Sequence, residues 1–280
     1  MFESRPGDVV LISHQLTREP MARALHAHTT CYEAMLFKSG NVDYFINDAA
    51  YHLEPGDVTL ICPNDLHGLF IRDSSPYERI PLHIELAYAQ QLSTPQTDLF
   101  AFYHDRAARR VCRLSPEGMR DFERHAQSIY RSLNERDFGW DVRLRADLTL
   151  ILLLLRDAHL RDGALRASAL PPLVSGAIQF ISDHLTEELR VQTVADALYV
   201  SPSRLSHLFR QATGATLWGY VTSRRIQYAR TLLERGAGVT EACYQCGFRD
   251  YANFIKVFTK LTNGISPGRY AKLRVQPIDE

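Results

Sequence analysis

The first 86 residues show the hydrophobic pattern of many short β-strands. Runs of β-branched, aromatic and aliphatic residues cover residues 9–12, 32–38, 42–46, 58–62, 68–71 and 80–86. Turn signals such as Ser39-Gly40 and Pro55-Gly56 separate these runs. Short strands at regular spacing predict a sandwich or a barrel.

Beyond Leu114 the apolar positions take a helical period. Ser115 can cap a helix whose first residue is Pro116, and a second helix is expected from about Trp140 to Arg161. The centre of the second helix, residues 150–155, is apolar on all sides, so it needs cover on more than one side. Two sources of cover stay open: a partner helix from a second subunit, or complete burial within one chain.

The composition changes again near residue 163. Residues 163–172 contain a glycine and a Pro-Pro pair and predict a linker, beyond which the pattern is helical throughout. The expected organisation is a β-rich domain over residues 1–114, a helical segment over 115–162, the linker over 163–172 and an all-helical domain over 173–280. The predicted fold class is α+β.

The C-terminal region contains a helix-turn-helix pattern twice. In the first copy, Ser201 caps a second helix that starts at Pro202. In the second copy, Gly247 fits the left-handed position that ends one helix, and Asp250 caps the next. Residues 217–234 are predicted to form the helix that joins the two units.

The second helix of each unit leaves a set of side chains outside the core, as a recognition helix for a DNA major groove does. In the first unit these are Ser203, Arg204, Ser206, His207 and Arg210. In the second unit they are Tyr251, Ala252 and Lys256. The adjacent pair Arg224 and Arg225, in the joining helix, could contact phosphate, although a solvated basic face is the default interpretation of two adjacent arginines.

The distribution of charge favours the same partner. The whole chain has 32 basic and 32 acidic residues, which by itself argues against binding to nucleic acid. Residues 173–280, however, contain 13 Lys and Arg against 9 Asp and Glu. This net positive region is the candidate surface for double-stranded DNA.

Apolar runs and cysteines bear on the location of the protein. The longest apolar run covers only residues 148–155, so neither export nor a membrane span is expected. Five cysteines without regular spacing fit reduced thiols in a cytosol. Cys243 and Cys246 form a C-x-x-C pair, but no second pair completes a zinc site, and core packing is the favoured interpretation.

These C-terminal motifs carry a family resemblance. The string over residues 201–214, the Arg224-Arg225-Ile226 triplet, the Gly247-Phe248 turn and residues 264–270 resemble the DNA-binding domain of the AraC/XylS family of bacterial transcription regulators. The resemblance covers about residues 173–272. It implies base-facing positions at Ser203, Ser206, His207, Tyr251, Ala252 and Lys256. It also implies a homodimer paired through helices next to the barrel, and RNA polymerase is a candidate partner.

A second set of polar residues lies in the β-rich domain. His26 and His28 share one face of an extended strand, whereas Glu33 has the opposite parity and can join them only across a bend or bulge. Together with a later string that ends at His67, they resemble the two cupin motifs. That resemblance implies a cupin-like barrel and, in metal-binding cupins, a ligand quartet of His26, His28, Glu33 and His67.

Three interpretations of this set compete. The side chains bind a polar effector, they bind a divalent metal, or they are satisfied polar groups at the mouth of a barrel; effector binding ranks first and metal second. Tyr44 and His83 lie in strands that could face the same cavity, where an aromatic ring could stack on a sugar.

The leading hypothesis is an effector-responsive, sequence-specific transcription regulator that is not an enzyme, requires no cofactor and senses a small polar molecule such as a sugar. The alternative is a metal-dependent cupin enzyme, an oxygenase or isomerase, with an accessory helical domain. The positive helical domain favours the regulator, because the enzyme hypothesis gives that domain no role.

Overall fold

The computed structural model describes residues 2–5, 7–18, 22–28, 30–104, 110–161, 170–262 and 264–275. Most of the predicted 163–172 linker lies outside the described residues. The N-terminal part of the described chain forms the strands β1 Val10–Ile12, β2 Gln15–Thr17, β3 Ala22–His26, β4 Cys31–Ser39, β5 Val42–Ile46, β6 Ala49–His52, β7 Asp57–Ile61, β8 His67–Ile71, β9 Tyr77–Glu85 and β10 Val111–Arg113.

The strands form two antiparallel sheets. One sheet has the order β1-β9-β4-β7-β10, with β2 also paired to β9, and the other has the order β3-β8-β5-β6. Met35 and Tyr77 of the first sheet share one buried cluster with Tyr44 and Leu69 of the second, so the two sheets pack face to face. This architecture confirms the predicted barrel-like β domain.

Three helices follow or flank the sheets: α1 Leu86–Leu92, α2 Pro116–Glu135 and α3 Trp140–Arg161. Ser115 caps α2 as predicted, because its Oγ accepts a hydrogen bond from the backbone N of Gly118 at 3.1 Å. Within α3, Ile151 and Leu155 are fully buried against α2 and the larger sheet, whereas Leu150 is 48% exposed. One side of the apolar centre is therefore covered within the chain and one side is not.

Four elements were not indicated by the sequence pattern: β2, β6, β10 and α1. They contain three to seven residues each. So few residues do not establish a hydrophobic period, and their conformation follows from pairing with longer neighbours.

The C-terminal part of the described chain is helical, as predicted. Its helices are α4 Pro172–Asp183, α5 Val191–Ala197, α6 Pro202–Thr213, α7 Leu217–Glu234, α8 Val239–Gln245, α9 Tyr251–Leu261 and α10 Pro267–Val275. Ser201 and Asp250 cap α6 and α9 through their side chains. The long helix α7 joins the pair α5–α6 to the pair α8–α9. No helix formed by the described residues is long and apolar enough to cross a membrane.

Cys243 and Cys246 lie in the core of the second helical pair. Both side chains are fully buried, and the Sγ of Cys246 donates to the carbonyl oxygen of Cys243 at 3.2 Å. Burial raises the pKa of the Cys246 thiol to about 12. A thiol held protonated is a poor nucleophile and a poor metal ligand, in agreement with the core interpretation.

The two helical units meet at the Gly247 turn. Arg225 of α7 is buried and donates to the carbonyl oxygens of Leu185 at 2.9 Å and Glu187 at 2.6 Å, which lie between α4 and α5. Gly247 has a φ of 93°, and a Cβ at this position would lie 2.8 Å from the Leu185 oxygen and 2.9 Å from the Arg225 Nε. Arg225 is thus a structural cation rather than a second phosphate contact.

The helical domain also contacts the barrel, mainly through α7. The ring of Tyr220 packs edge-on against Phe45 of β5, with a centroid distance of 6.2 Å. Gln227 donates to the carbonyl oxygen of Asn64 at 2.8 Å, and Arg230 donates to the Asn64 side-chain oxygen at 3.2 Å. The loop between β7 and β8 therefore touches the helix that joins the two helix-turn-helix units.

Replacing Gly247 by alanine should destabilise the helical domain more than the same change at Gly236. Both glycines have a φ near 90°, but a Cβ at Gly236 would meet no atom within 4 Å. Gly236→Ala should lower the free energy of unfolding by about 1–2 kcal/mol, because alanine is strained in this left-handed conformation. Gly247→Ala should lower the free energy of unfolding by a further ~1–3 kcal/mol, because its Cβ overpacks the junction. Urea unfolding followed by helical circular dichroism measures both, and equal losses would contradict the described junction.

Candidate effector site and DNA-recognition helices

The barrel contains a partly open cavity of about 550 Å³. Its lining includes four of the residues singled out from the sequence, His28, Glu33, Tyr44 and His83. Strand alternation explains why the residues within strands face inward: in β4, Glu33 and Met35 point to the cavity, whereas Tyr32 and Ala34 pack in the cluster that contains the helices. The cavity volume is that of a small-molecule site.

The histidines at and behind the cavity lining form one cluster with a carboxylate. The Nε2 atoms of His28, His67 and His83 lie 3.1, 3.4 and 3.2 Å from the same oxygen, Oε2 of Glu33. The ring of His26 lies 4.3 Å from that of His67, centroid to centroid. We call these five residues the His–Glu cluster.

The sequence places Glu33 on the opposite strand face from His26 and His28, and the connection between β3 and β4 explains how they nevertheless meet. β3 ends at His26, so His28 lies in the connection to β4 rather than within a strand, and the pairing of β3 with β8 shifts register between Arg23 and His26. His67 pairs directly with His26 across β3 and β8. The chain reversal then brings Glu33 of β4 to the imidazoles.

The electrostatics of the cluster favour a negative carboxylate. Burial raises the pKa of Glu33, but its contacts with three imidazoles outweigh burial and hold the pKa well below the ordinary value. Burial opposes the charge of His67, yet the facing carboxylate raises the pKa of this imidazole. At His28 burial is the stronger effect and lowers the pKa. The cluster thus presents an anionic oxygen among imidazole nitrogens.

Asp65 orients the loop over residues 63–67, which we call the 63–67 loop. Its carboxylate oxygens accept hydrogen bonds from the side chain of Asn47 and from the backbone N of Cys62, both at 2.9 Å, and lie 3.2 Å from Arg110. Its carbonyl oxygen lies 2.9 Å from Nδ1 of His67. Asp65 therefore fixes the direction of the His67 ring.

The proposed recognition helices expose the expected side chains. On α6, Arg204, His207 and Arg210 are exposed, while Leu205 and Phe209 are fully buried. Ser203 is also exposed and Ser206 is half-buried. On α9 the exposed residues include Tyr251, Ala252 and Lys256. Each helix thus turns one polar face to solvent near its N-terminus.

Arg224 differs from these side chains. It is half-buried, its Nη1 donates to the hydroxyl of Tyr220 at 3.2 Å, and its guanidinium carbon lies 5.8 Å from the centre of the same ring. Since Tyr220 packs on the barrel, Arg224 borders the domain contact.

Comparison with known proteins assigns both domains. Residues 6–154 match the family model described as the AraC-like ligand binding domain, and residues 194–273 match that of a helix-turn-helix domain. The chain is 31% identical over 237 residues to the arabinose operon regulatory protein of Salmonella typhimurium, covering 80% of this chain and 77% of that protein. The chain belongs to the AraC family.

Two further relatives match a smaller part of this AraC-family chain. The arabinose operon regulatory protein of Escherichia coli is 38% identical over 123 residues, which cover 42% of this chain and 40% of that protein. The HTH-type transcriptional activator RhaS of Escherichia coli is 32% identical over 114 residues, which cover 40% of each chain. The chain is therefore a transcription regulator with a ligand-binding domain and a DNA-binding domain, as the sequence pattern indicated.

The cavity of this regulator has polar residues that sequence reasoning missed. Arg79, Glu85 and Gln15 line it beside His83. Residues 79, 83 and 85 are alternate positions of β9 and therefore face the same side of the strand. Once His83 is assigned to the cavity, the same alternation predicts Arg79 and Glu85 there. Gln15 lies in the three-residue strand β2, which gave no signal.

Proposed function

We propose that the cavity binds a small polar effector such as a sugar and that this binding controls the recognition of an operator. The observation that carries the proposal is the polar wall of the cavity, where His28, Glu33 and His83 meet beside the ring of Tyr44. Hydroxyl groups of a sugar suit such donors and acceptors, and an aromatic face suits the ring.

The named relatives support the same class of ligand, since two of them are arabinose operon regulators. They lend no support to the cupin-enzyme alternative, because they are transcription regulators.

For DNA, we propose that α6 and α9 enter successive major grooves on one face of the duplex. The contacts assigned to this role are Ser203, Arg204, Ser206, His207, Arg210, Tyr251, Ala252 and Lys256, with Arg224 nearby on α7. The exposure of most of these side chains supports the assignment. The spacing of two such helices implies two reading segments about 10 base pairs apart in each half-site.

For assembly, we propose a homodimer through the exposed face of α3. Val142, Leu150, Leu153 and Leu160 are 68%, 48%, 38% and 62% exposed and follow one side of the helix. An apolar stripe opposite a buried face is typical of a helix that packs against a second subunit.

Base contacts by α6 and α9 are tested with DNA selected from a random pool by the purified full-length protein. His207→Ala and Lys256→Ala should each weaken binding to the selected site by about 1–3 kcal/mol and relax the preference at one base pair. His184→Ala, a change at a half-buried histidine after α4, is the matched control and should leave affinity unchanged. An equal loss of affinity for all DNA sequences would instead indicate that the residue contacts phosphate.

The effector site is tested by a thermal-shift screen of pentoses and hexoses. A sugar at about 100 times its Kd should stabilise the protein by ~2.7 kcal/mol. The double variant His26→Ala with His28→Ala should stay folded and bind the selected DNA but lose the sugar response. His52→Ala, on the outer strand β6, should retain it. Unchanged sugar affinity in the double variant would remove these histidines from the site.

The dimer is tested by sedimentation velocity at micromolar concentration. The wild type should sediment as a dimer, whereas the double variant Leu150→Glu with Leu153→Glu should sediment as a folded monomer, because two charges per helix oppose burial of the stripe. Phe138→Glu changes a fully exposed side chain before α3 and should remain dimeric. A monomeric wild type would refute the interface.

A further inference from the structure

The two helix-turn-helix units have separate hydrophobic cores on one shared helix. Tyr220 and Val221, in the first half of α7, are buried with the first unit, α5–α6. Ile226 and Ala229, in the second half, are buried with the second unit, α8–α9. In the described part of the chain, no buried cluster contains residues of both units. The relative placement of α6 and α9 therefore depends on α7 and on contacts that cross directly from unit to unit.

Arg225 lies on α7 at the boundary between the two cores. Its buried guanidinium donates from Nε to the carbonyl oxygen of Leu185 at 2.9 Å and from Nη2 to the carbonyl oxygen of Glu187 at 2.6 Å. Both oxygens belong to the segment that leads into α5, so these bonds hold the first unit. A buried donor or acceptor left without its partner is costly, so the geometry of this contact is strongly enforced.

The turn of the second unit packs against the same guanidinium. A Cβ at Gly247 would lie 2.9 Å from Nε and 3.1 Å from Cζ of Arg225. Arg249, two residues further along this turn, pairs with Glu188, with 3.1 Å between Nη1 and Oε2. We call the contacts of Arg225, Gly247 and Arg249 with residues 185–188 the junction. It joins the two units without passing through either core.

The chemistry of Arg225 suits a part that sets direction as well as distance. Its Cζ lies 5.7 Å from the centre of the Trp218 ring, so an aromatic face flanks the guanidinium. Burial lowers the pKa of Arg225, but an arginine keeps its charge in a protein. A guanidinium is planar and has its donors at fixed angles, so bonds to two carbonyl oxygens fix the orientation of the segment that carries them.

A fixed placement of α6 and α9 has a consequence on DNA. One base pair added between two reading segments moves the second segment by about 3.4 Å along the duplex and rotates it by roughly 35° around the axis. Two helices held rigidly can keep the base contacts of both only at one spacing. Two helices joined by α7 alone could follow the displaced segment.

We propose that Arg225 is a positioning residue for DNA recognition and that, through the junction, it makes the regulator select operators by the number of base pairs between the two reading segments. Arg225 touches no base, because it is buried; it acts through the placement of α6 and α9. This spacing selectivity rests on the function proposed above, since it requires two reading segments. The placement of the units does not require DNA.

Spacing selectivity is tested with the DNA site selected by the full-length protein, rebuilt with one base pair fewer and one more between the segments. The wild type should bind each altered site roughly tenfold or more weakly than the selected site, because the base contacts of one helix are lost. Arg225→Met should bind the three sites within about threefold of one another, because a hinged pair of units follows the displaced segment. Its base preferences within each segment should stay those of the wild type.

Arg235→Met is the matched control, since Arg235 is exposed at the end of α7 and lies outside the junction. It should keep the spacing preference of the wild type. Arg225→Lys keeps the buried charge without the guanidinium fork and replaces Arg225→Met in the test if the latter does not fold. An equal loss of affinity at all three spacings in the folded variant would indicate destabilisation alone and overturn the positioning role.

The placement of the units is tested without DNA by pulsed electron paramagnetic resonance on the full-length protein. Spin labels at Thr193→Cys on α5 and Lys260→Cys on α9, both exposed positions, report the distance between the units. Cys31→Ser provides the background, because the other four cysteines are buried. The labelled protein with Arg225 should give one narrow distance distribution, and Arg225→Met should give a broad or displaced one.

The outcomes separate the positioning role from the proposed function. If two segments are read but Arg225→Met keeps both the spacing preference and the narrow distance distribution, the positioning role is overturned and DNA recognition stands. If no two-segment site is selected, the proposed DNA recognition fails and spacing selectivity fails with it. A distance distribution that broadens in Arg225→Met would still establish the junction as the contact that places the units.

Discussion

The internal hydrogen bonds of Asp65 are the constraint on which the functional parts of the structure depend. A buried carboxylate must be satisfied, and this one holds Asn47, Cys62 and Arg110 around the 63–67 loop. Its carbonyl fixes the ring of His67. Because one residue determines both the loop path and the imidazole direction, the cavity wall and the surface offered to α7 are formed together.

The contact between the domains combines apolar packing with polar contacts and contains a buried charge. Arg230 is almost fully buried and donates to the Asn64 side chain of the barrel and to the carbonyl oxygen of Leu261 at the end of α9. Burial lowers the pKa of Arg230. A buried cation with few partners costs desolvation energy, and such contacts give orientation rather than stability. One side chain thus relates the barrel to the second helix-turn-helix unit.

The candidate site could be predicted in part. Strand parity was enough to place Tyr44 and His83 on the cavity side, and the same rule applied further along β9 reaches Arg79. The meeting of Glu33 with the histidines could not be derived from parity, because it depends on the reversal between β3 and β4. Arg225 likewise could not be placed from the sequence, which indicated an exposed basic face. In the structure its side chain is buried and donates to two backbone carbonyls of the segment after α4.

The sequence by itself determined the elements whose signals are local. A sustained helical period predicted α3 at Trp140–Arg161 and α7 at Leu217–Glu234, and Ser115 and Ser201 predicted where α2 and α6 begin, since capping and helical periodicity act over a few residues. Only the tertiary structure decided which side of α3 is covered and that Asn64 meets Arg230. Those outcomes join residues far apart in the chain, and their energy comes from satisfying buried polar groups and apolar surface that no local pattern records.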